Sequence, residues 1–379
     1  MKFTINQKLL KKELEYVQGI VEKKSTIPVL SNILIESVSN DRIRIIGTDL
    51  DCTIRCEVEA SVETEGVICV QSRKLFDIIR LLSEQDVHFE SDDNDWVKLK
   101  CGKSKFKLAG VSSDTFPEVP NFSKMPLKLS AKLFSYFIQH TAYAITQEQS
   151  RFTLSGAKLI LASNVAKMIA TDGHRLAYIE KAVDETGNID VLIPKKALTE
   201  VTKICQNSDS DVSFGEDPNH IYFEIDGRLI ISRKLNGTFP NYEMVIPKSA
   251  DKVVKFNADD MKIAVRRVAL MADERVQSIK FAIRKGEIEI SSQAAEEGEA
   301  AEIIKAEYDD EDISIGFNWK YLLDALQTDS LEEETETDDD DITPTSNETL
   351  CLSFKDANGQ VMFHPEGNDF LSVVMPLRV

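Results

Sequence analysis

The residues of this chain that could do chemistry are few, and their spacing does not suit catalysis. His174 stands two residues from Asp172, but no Ser or Cys nucleophile motif accompanies the pair. Nearby positions in one turn seldom form a working dyad, so a hydrolase built on Asp172 and His174 is the remoter alternative, and no catalytic residue is assigned. The six cysteines (Cys52, Cys56, Cys69, Cys101, Cys205 and Cys351) contain no C-x-x-C pair. They read as small core residues rather than as a zinc site or a disulfide framework. Ten acids fall between Asp329 and Glu348 with no Lys or Arg among them. Such a block repels itself and is expected to be a solvated, disordered loop, and it lacks the D-x-D-x-D-G spacing of a calcium site. We expect no metal and no cofactor.

What remains is charge. The formal net charge of -19 argues at first against a phosphate-binding protein. Its distribution reverses that impression. Six amphipathic stretches (7–21, 73–83, 130–145, 195–204, 259–271 and 319–326) carry 14 Lys and Arg against seven acids, leaving -26 for everything else. Lys and Arg favour helices and solvent in any protein. Here, however, the basic residues recur at equivalent places, and an acidic surround would discourage phosphates from settling elsewhere.

The equivalence comes from a triplication. Apolar residues at helical spacing open each copy: Leu10, Leu14, Val17 and Val21; Phe134, Phe137, Ile138 and Ile145; Met261, Ala264, Val265 and Val268. Alternating strands follow, and then a second short helix with Lys74, Lys196 or Lys320 near its start, 122 and 124 residues apart. The first two copies close on Thr115-Phe116-Pro117 and Thr238-Phe239-Pro240, 123 residues apart; the third lacks that turn. A period this long describes tandem domains rather than a solenoid. With 379 residues, three domains are expected at 1–125, 126–250 and 251–379, each with two helices packed on antiparallel sheets, an α+β class. No apolar run is long enough to span a membrane and the start lacks a signal peptide, so a soluble, cytoplasmic protein is expected.

Four segments in this order give the chain a specific likeness: Gly47-Thr48-Asp49-Leu50, Ala170-Thr171-Asp172-Gly173-His174-Arg175-Leu176-Ala177, Phe239-Pro240-Asn241-Tyr242 and Val374-Met375-Pro376-Leu377-Arg378-Val379. Over essentially its whole length the sequence resembles the beta subunit of bacterial DNA polymerase III, the sliding-clamp family. That resemblance implies a DNA-clamp fold and a ring of two head-to-tail copies. The ring would encircle duplex DNA without reading its sequence, be opened by an ATP-driven loader, and confer processivity on the replicative polymerase.

The resemblance also assigns sites. Lys24, in the turn after the first helix, with Arg73, Lys74, Arg80, Lys195, Lys196, Lys262, Arg266 and Lys320, is expected to face DNA. Leu154, Thr171, Gly173, His174, Arg175, Leu176, Pro240, Val245, Val373, Val374, Met375, Pro376, Leu377 and Arg378 are expected to form a pocket. Polymerase and clamp-loader subunits would insert a short hydrophobic peptide there. Met244 replaces a residue that is often basic in the family, and Phe152-Thr153 replaces the paired tyrosines of some members. Lys103, Lys105, Phe106 and Leu108 are expected to meet Leu270, Met271, Glu296, Glu297, Glu299 and Glu302 of a second copy as a dimer seam. An ordinary charged edge strand is the plainer reading of the lysines. The rival from another class is a protein-interaction scaffold of the same three domains that never holds DNA.

Overall fold

The computed structural model describes every residue except 22–26, 121–123, 149, 248–249, 295–297, 327–348, 367–369 and 379. Lys24, Glu296, Glu297 and the acidic tract therefore lie outside the described residues. Among those described, six α-helices occupy the places the periodicity predicts. These are α1 (Gln7–Gln18), α2 (Ser72–Leu81), α3 (Ala131–Gln139), α4 (Lys195–Cys205), α5 (Ala258–Val268) and α6 (Trp319–Ala325).

Local chemistry sets the starts. Asn6, Asn257 and Asn318 each accept a main-chain N–H of the first turn through the side-chain oxygen, at 3.0, 2.9 and 2.9 Å. An N-cap of this kind satisfies a donor that the helix cannot. Helix α5 also carries Asp259 and Asp260 in its first turn and Arg266 and Arg267 in its last, which suits its dipole. Every helix but α4 ends short of the expected stretch, α3 by the most. Helix α3 stops at Gln139, where the Thr141 hydroxyl donates back to the Phe137 carbonyl at 2.7 Å, and a 3-10 turn at Ala142–Ala144 continues the stretch. Helix α5 likewise gives way to the 3-10 turn Ala269–Met271.

The chain divides into two compact units: Met1–Ser135 with Ile193–Lys234, and Tyr136–Leu192 with Leu235–Val379. The segment 126–250 contributes to both. Each unit is built on one long antiparallel sheet, of 13 strands in the first and 12 in the second. Strand pairing across copies makes the sheets continuous. In the first unit Arg228–Arg233 pairs with Cys52–Glu59, Ile230 opposite Ile54. In the second, Arg175–Ala182 pairs with Phe370–Val374, Leu176 opposite Val373. Main-chain ladders thus join one copy to the next, and a buried side-chain pair reinforces the first of these joints. Glu13 of α1 and Arg228 form a bidentate pair at 2.6 and 2.8 Å, with the guanidinium 4.8 Å from the Tyr16 ring centroid.

The helices lie on the sheets through the faces that spacing identifies. Leu10, Leu14, Val17, Phe134, Phe137, Ile138, Ile145, Met261, Ala264, Val265 and Val268 are buried; Val21, past the end of α1 at Gln18, is only partly so. Gly47 shows how close the approach is, since a Cβ there would stand 2.5 Å from Val17 Cγ1. All six cysteines are buried and free, as small core residues should be.

Candidate functional site

The Thr-Asp motif folds into a turn whose own side chains hold it. The Thr171 hydroxyl donates to the Arg175 carbonyl at 2.6 Å and accepts the Gly173 N–H at 3.1 Å. Asp172 Oδ1 accepts the N–H groups of His174 and Arg175 at 2.9 and 3.0 Å. The turn needs a left-handed residue at its tip, and Gly173 supplies it with φ +90°. Asp172 Oδ2 receives Arg175 Nε at 3.0 Å, and the His174 residue stands exposed beside it.

Arg175 departs from its expected role as a pocket-lining residue. Its guanidinium is turned inward, only 11% exposed, and it is bonded to the carboxylates of Asp172 and Asp324 and to the Tyr143 carbonyl at 2.6 Å. The Tyr321 and Tyr143 rings lie 4.4 and 5.4 Å away. Burial works against the charge, but hydrogen bonding and attraction from Asp324 and Asp172 outweigh it and hold the guanidinium pKa above its ordinary value. Five donors in a fixed fork suit such multiple acceptance. Arg175 is a strut between the turn and α6, not a free contact for a ligand.

The cluster formed by the residues expected to floor the pocket is apolar. Leu154, Leu176, Val373 and Val245, all expected there, pack in one cluster with Ile169, Leu192 and Phe239. Tyr178, Tyr242 and Leu371 pack against it, although spacing alone did not mark them. Register explains two of these, because Tyr178 opposite Leu371 lies on the same sheet face as Leu176 opposite Val373. The same alternation removes Val374, which belongs instead to the core that includes Met261 and Leu322. Pro240 is exposed beside the buried Phe239. Thr171 is largely buried within the turn, whereas Gly173 and His174 are exposed at the rim.

The C-terminal segment joins this rim by main-chain bonds. Met375 N–H donates to the His174 carbonyl at 2.9 Å, and Leu377 N–H to the Gly316 carbonyl at 2.8 Å. Pro376 is half-buried and Arg378 exposed. Large apolar side chains stand open around the floor: Phe152 is 71% exposed and Met244 77%. An apolar floor with exposed Phe and Met beside it and few fixed charges can take up hydrophobic side chains from a peptide.

The basic residues divide into engaged and available ones. Lys196 of α4, expected to face phosphates, is instead tied to the Asp49 carboxylate and donates to the Ile20 carbonyl at 2.8 Å. Lys262 is only 20% exposed, with Asp259 at 3.8 Å. On α2, Arg73 and Arg80 share Asp77 at 3.9 and 3.2 Å but stay more than half exposed, and Lys74 is exposed. Lys195 is half-buried; Arg266 and Lys320 are exposed, with the Lys320 ammonium 5.3 Å from the Trp319 ring centroid.

Among the described residues, each unit also ends a ladder early. In the first, Ser104–Val111 pairs along Trp96–Cys101, but on its other side it meets Val67–Gln71 only at Val111 and Gly110, leaving the edge of Lys105, Phe106 and Leu108 open. Phe106 is 39% exposed on that strand, Leu108 is largely buried, and Lys103 is exposed in the preceding turn. In the second, Gly298–Glu307 pairs along Glu287–Ala294 yet meets Lys252–Asn257 only at Glu307 and Ala306, so the edge of Glu299 and Glu302 is open. Leu270 beside it is 78% exposed, Met271 half-buried, and Glu302 accepts Arg267 at 3.0 Å.

Comparison with known proteins places these features in a family. Three family models match in tandem: the N-terminal, central and C-terminal domains of the DNA polymerase III beta subunit, at residues 1–120, 128–241 and 243–335. The beta sliding clamp of Pseudomonas putida is 31% identical with both chains covered in full, and that of Caulobacter vibrioides 32% over 86% of this chain and 89% of the relative. Among solved structures, a DnaN sliding clamp from Pseudomonas aeruginosa bound to griselimycin superposes with TM-score 0.89 at 28% identity over both full chains. The beta sliding clamp of C. crescentus gives 0.88 at 29% over 100% of this chain and 99% of that one. The chain therefore belongs to the bacterial DNA polymerase III beta-subunit family, the DNA-replication sliding clamps.

Proposed function

We propose that two copies of this chain close head to tail into a ring around duplex DNA and hold a replicative polymerase on its template. The observation that carries the reading is the complementarity of the two open sheet edges. One bears Lys103, Lys105 and the exposed Phe106; the other bears Glu299, Glu302 and the exposed Leu270. Heterologous edges of this kind either close into a ring or run on as a filament, and opposite charges fix which edge meets which. Glu296 and Glu297 belong to the same proposed seam by sequence.

Duplex DNA would meet the exposed cations of the helices, Arg73, Lys74, Arg80, Arg266 and Lys320, with the half-buried Lys195 and the Asp259-paired Lys262 beside them, Lys24 added by sequence and Lys196 occupied as a strut. Contacts to phosphates alone are weak, mobile and indifferent to sequence. That is sufficient when topology, rather than affinity, prevents escape. The apolar floor of Leu154, Leu176, Val245 and Val373 would receive a short hydrophobic peptide from polymerase or clamp-loader subunits, with His174, Met375 and the exposed Phe152 and Met244 at its margin. Product length in primer extension with polymerase and loader tests the reading. Long products that collapse when an excess of such a peptide is added support it; extension indifferent to this chain refutes it.

A further inference from the structure

The first unit carries cations that the helices do not explain. Strand Trp96–Cys101 lies inside its sheet, between Asp86–Ser91 and Ser104–Val111. Val97, Leu99 and Cys101 are buried, while Trp96, Lys98 and Lys100 stand on the exposed face. Register sets Lys98 directly opposite Lys107, and Lys100 opposite Lys105 on one side and His88 on the other. Like charges directly opposite each other weaken a ladder. Lysines on an open edge guard it against unwanted pairing, which accounts for Lys105 and Lys107. Lys98 and Lys100 occupy an interior strand, so edge protection does not account for them.

The acids nearby discharge this row only in part: Asp92 attracts Lys98 and Lys107, but among the described residues no carboxylate is paired with Lys100. Glu90 answers Lys98 alone, at 3.3 Å. Asp92 Oδ1 accepts the N–H groups of Asn94 and Trp96 at 3.1 and 3.0 Å, closing the turn that leads into the strand. At the same end stands the Trp96 indole, 41% exposed, with the Lys107 ammonium 4.4 Å from its ring centroid. In a chain of net charge -19, an exposed aromatic ring thus sits beside ammonium groups that repel one another.

A ligand that relieves this arrangement brings several negative charges along a line and a flat apolar face. Duplex DNA supplies the charges but hides its base faces, and a run of Asp and Glu side chains has no such face. Single-stranded nucleic acid supplies both, and base stacking on an aromatic side chain tolerates any sequence. We propose that this exposed sheet face binds single-stranded nucleic acid, with phosphates on Lys98, Lys100 and Lys107 and a base on Trp96. The surface uses none of the helix cations assigned to duplex DNA, and it does not require Lys103 or Lys105.

Fluorescence anisotropy of a dye-labelled oligothymidylate with the full chain, over a salt series, tests this. Replacing the two lysines (K100Q with K107Q) should weaken binding about tenfold and flatten the slope of log K against log salt by about 1.4, at roughly 0.7 per phosphate contact on a single strand. W96A should cost about fivefold and leave the slope unchanged. All three positions are exposed, so melting temperatures should match the parent, and retention on circular duplex DNA should be unaffected in both variants. Binding unchanged by both variants would overturn the proposal. So would displacement by oligoglutamate of equal charge together with indifference to W96A, which would assign the face to an acidic polypeptide instead.

Discussion

Asp49 and Asp172 stand 123 residues apart and perform the same task in two copies of one unit. In each, Oδ1 accepts two main-chain N–H groups of its own turn, Asp51 and Cys52 in the first, His174 and Arg175 in the second. The preceding threonine, Thr48 or Thr171, accepts the N–H of a residue with positive φ, Leu50 or Gly173. Oδ2 of each then takes a cation: Lys196 from α4 for Asp49, Arg175 for Asp172. Arg175 goes on to Asp324 of α6. A turn of one copy is thus tied to the second helix of the next copy in both cases, with the polarity of the tie reversed.

Breaking the second tie should loosen the pocket without touching its floor. Truncating Arg175 to Met leaves the partly buried carboxylates of Asp172 and Asp324 without their cation, at a cost of about 2–4 kcal/mol. Hydrogen exchange should show the turn at 171–175 opening first, and peptide affinity should fall with it. Equal protection in parent and variant would show that the strut is unimportant.

The Glu13–Arg228 pair makes the corresponding prediction for the first unit. Both side chains are under a tenth exposed, so Glu13→Gln strands a buried guanidinium and should cost about 3–5 kcal/mol. Faster exchange confined to α1 and the strand Arg228–Arg233 is the expected signature.

Lys74 and Lys196 should separate binding from architecture, although sequence places them at equivalent points. Lys74→Ala should lower the salt slope of duplex binding by about 0.9 and leave stability within about 0.5 kcal/mol. Lys196→Ala should lower stability, because Asp49 is only 9% exposed, while changing the salt slope little. The opposite pattern would return Lys196 to the DNA-facing set.

Asp217 predicts part of the acid limb of stability. Burial pushes its pKa up, but bonds from the Tyr222 hydroxyl and the N–H groups of Asn219 and His220 outweigh this and hold it at about 2. A carboxyl whose folded pKa lies below its unfolded value of 3.8 stabilises fully above that value and loses the contribution as pH falls toward 2. Urea denaturation of Asp217→Asn should therefore show a gentler loss of stability between about pH 4 and 2 than the parent.

His174 separates a clamp from an enzyme. It is exposed, and its main chain does the structural work by accepting Met375 N–H. His174→Ala should keep the melting temperature and retention on circular DNA while weakening peptide binding severalfold. A hydrolase would lose turnover with the same change.

These outcomes also mark how far the sequence is legible. Helical spacing located six helices, missing the end of α3 by six residues, because it is a periodic property of the chain, whereas the Thr-Asp segments were marked only by the family likeness. Spacing could not tell where a long side chain points, so Arg175 read as a pocket residue and Lys196 as a DNA-facing cation although each is spent on a carboxylate distant in sequence, Asp324 and Asp49. Strand alternation separates Val373 from Val374, but only once register is known, and register also adds Tyr178 and Leu371 to the apolar cluster around Leu176. The exposed Lys98 and Lys100 were invisible for the same reason: their like-charged neighbours lie across a ladder, not along the chain.

The central claim is that this chain holds DNA by enclosure, and cutting the DNA tests it. The protein is loaded onto a nicked circular duplex, freed of loader by gel filtration in high salt, and then exposed to an enzyme that linearises the circle. Enclosure predicts that the protein stays with the circle through the high-salt column and departs once the DNA has ends. Loss from the intact circle in salt, or equal retention before and after cutting, would contradict it.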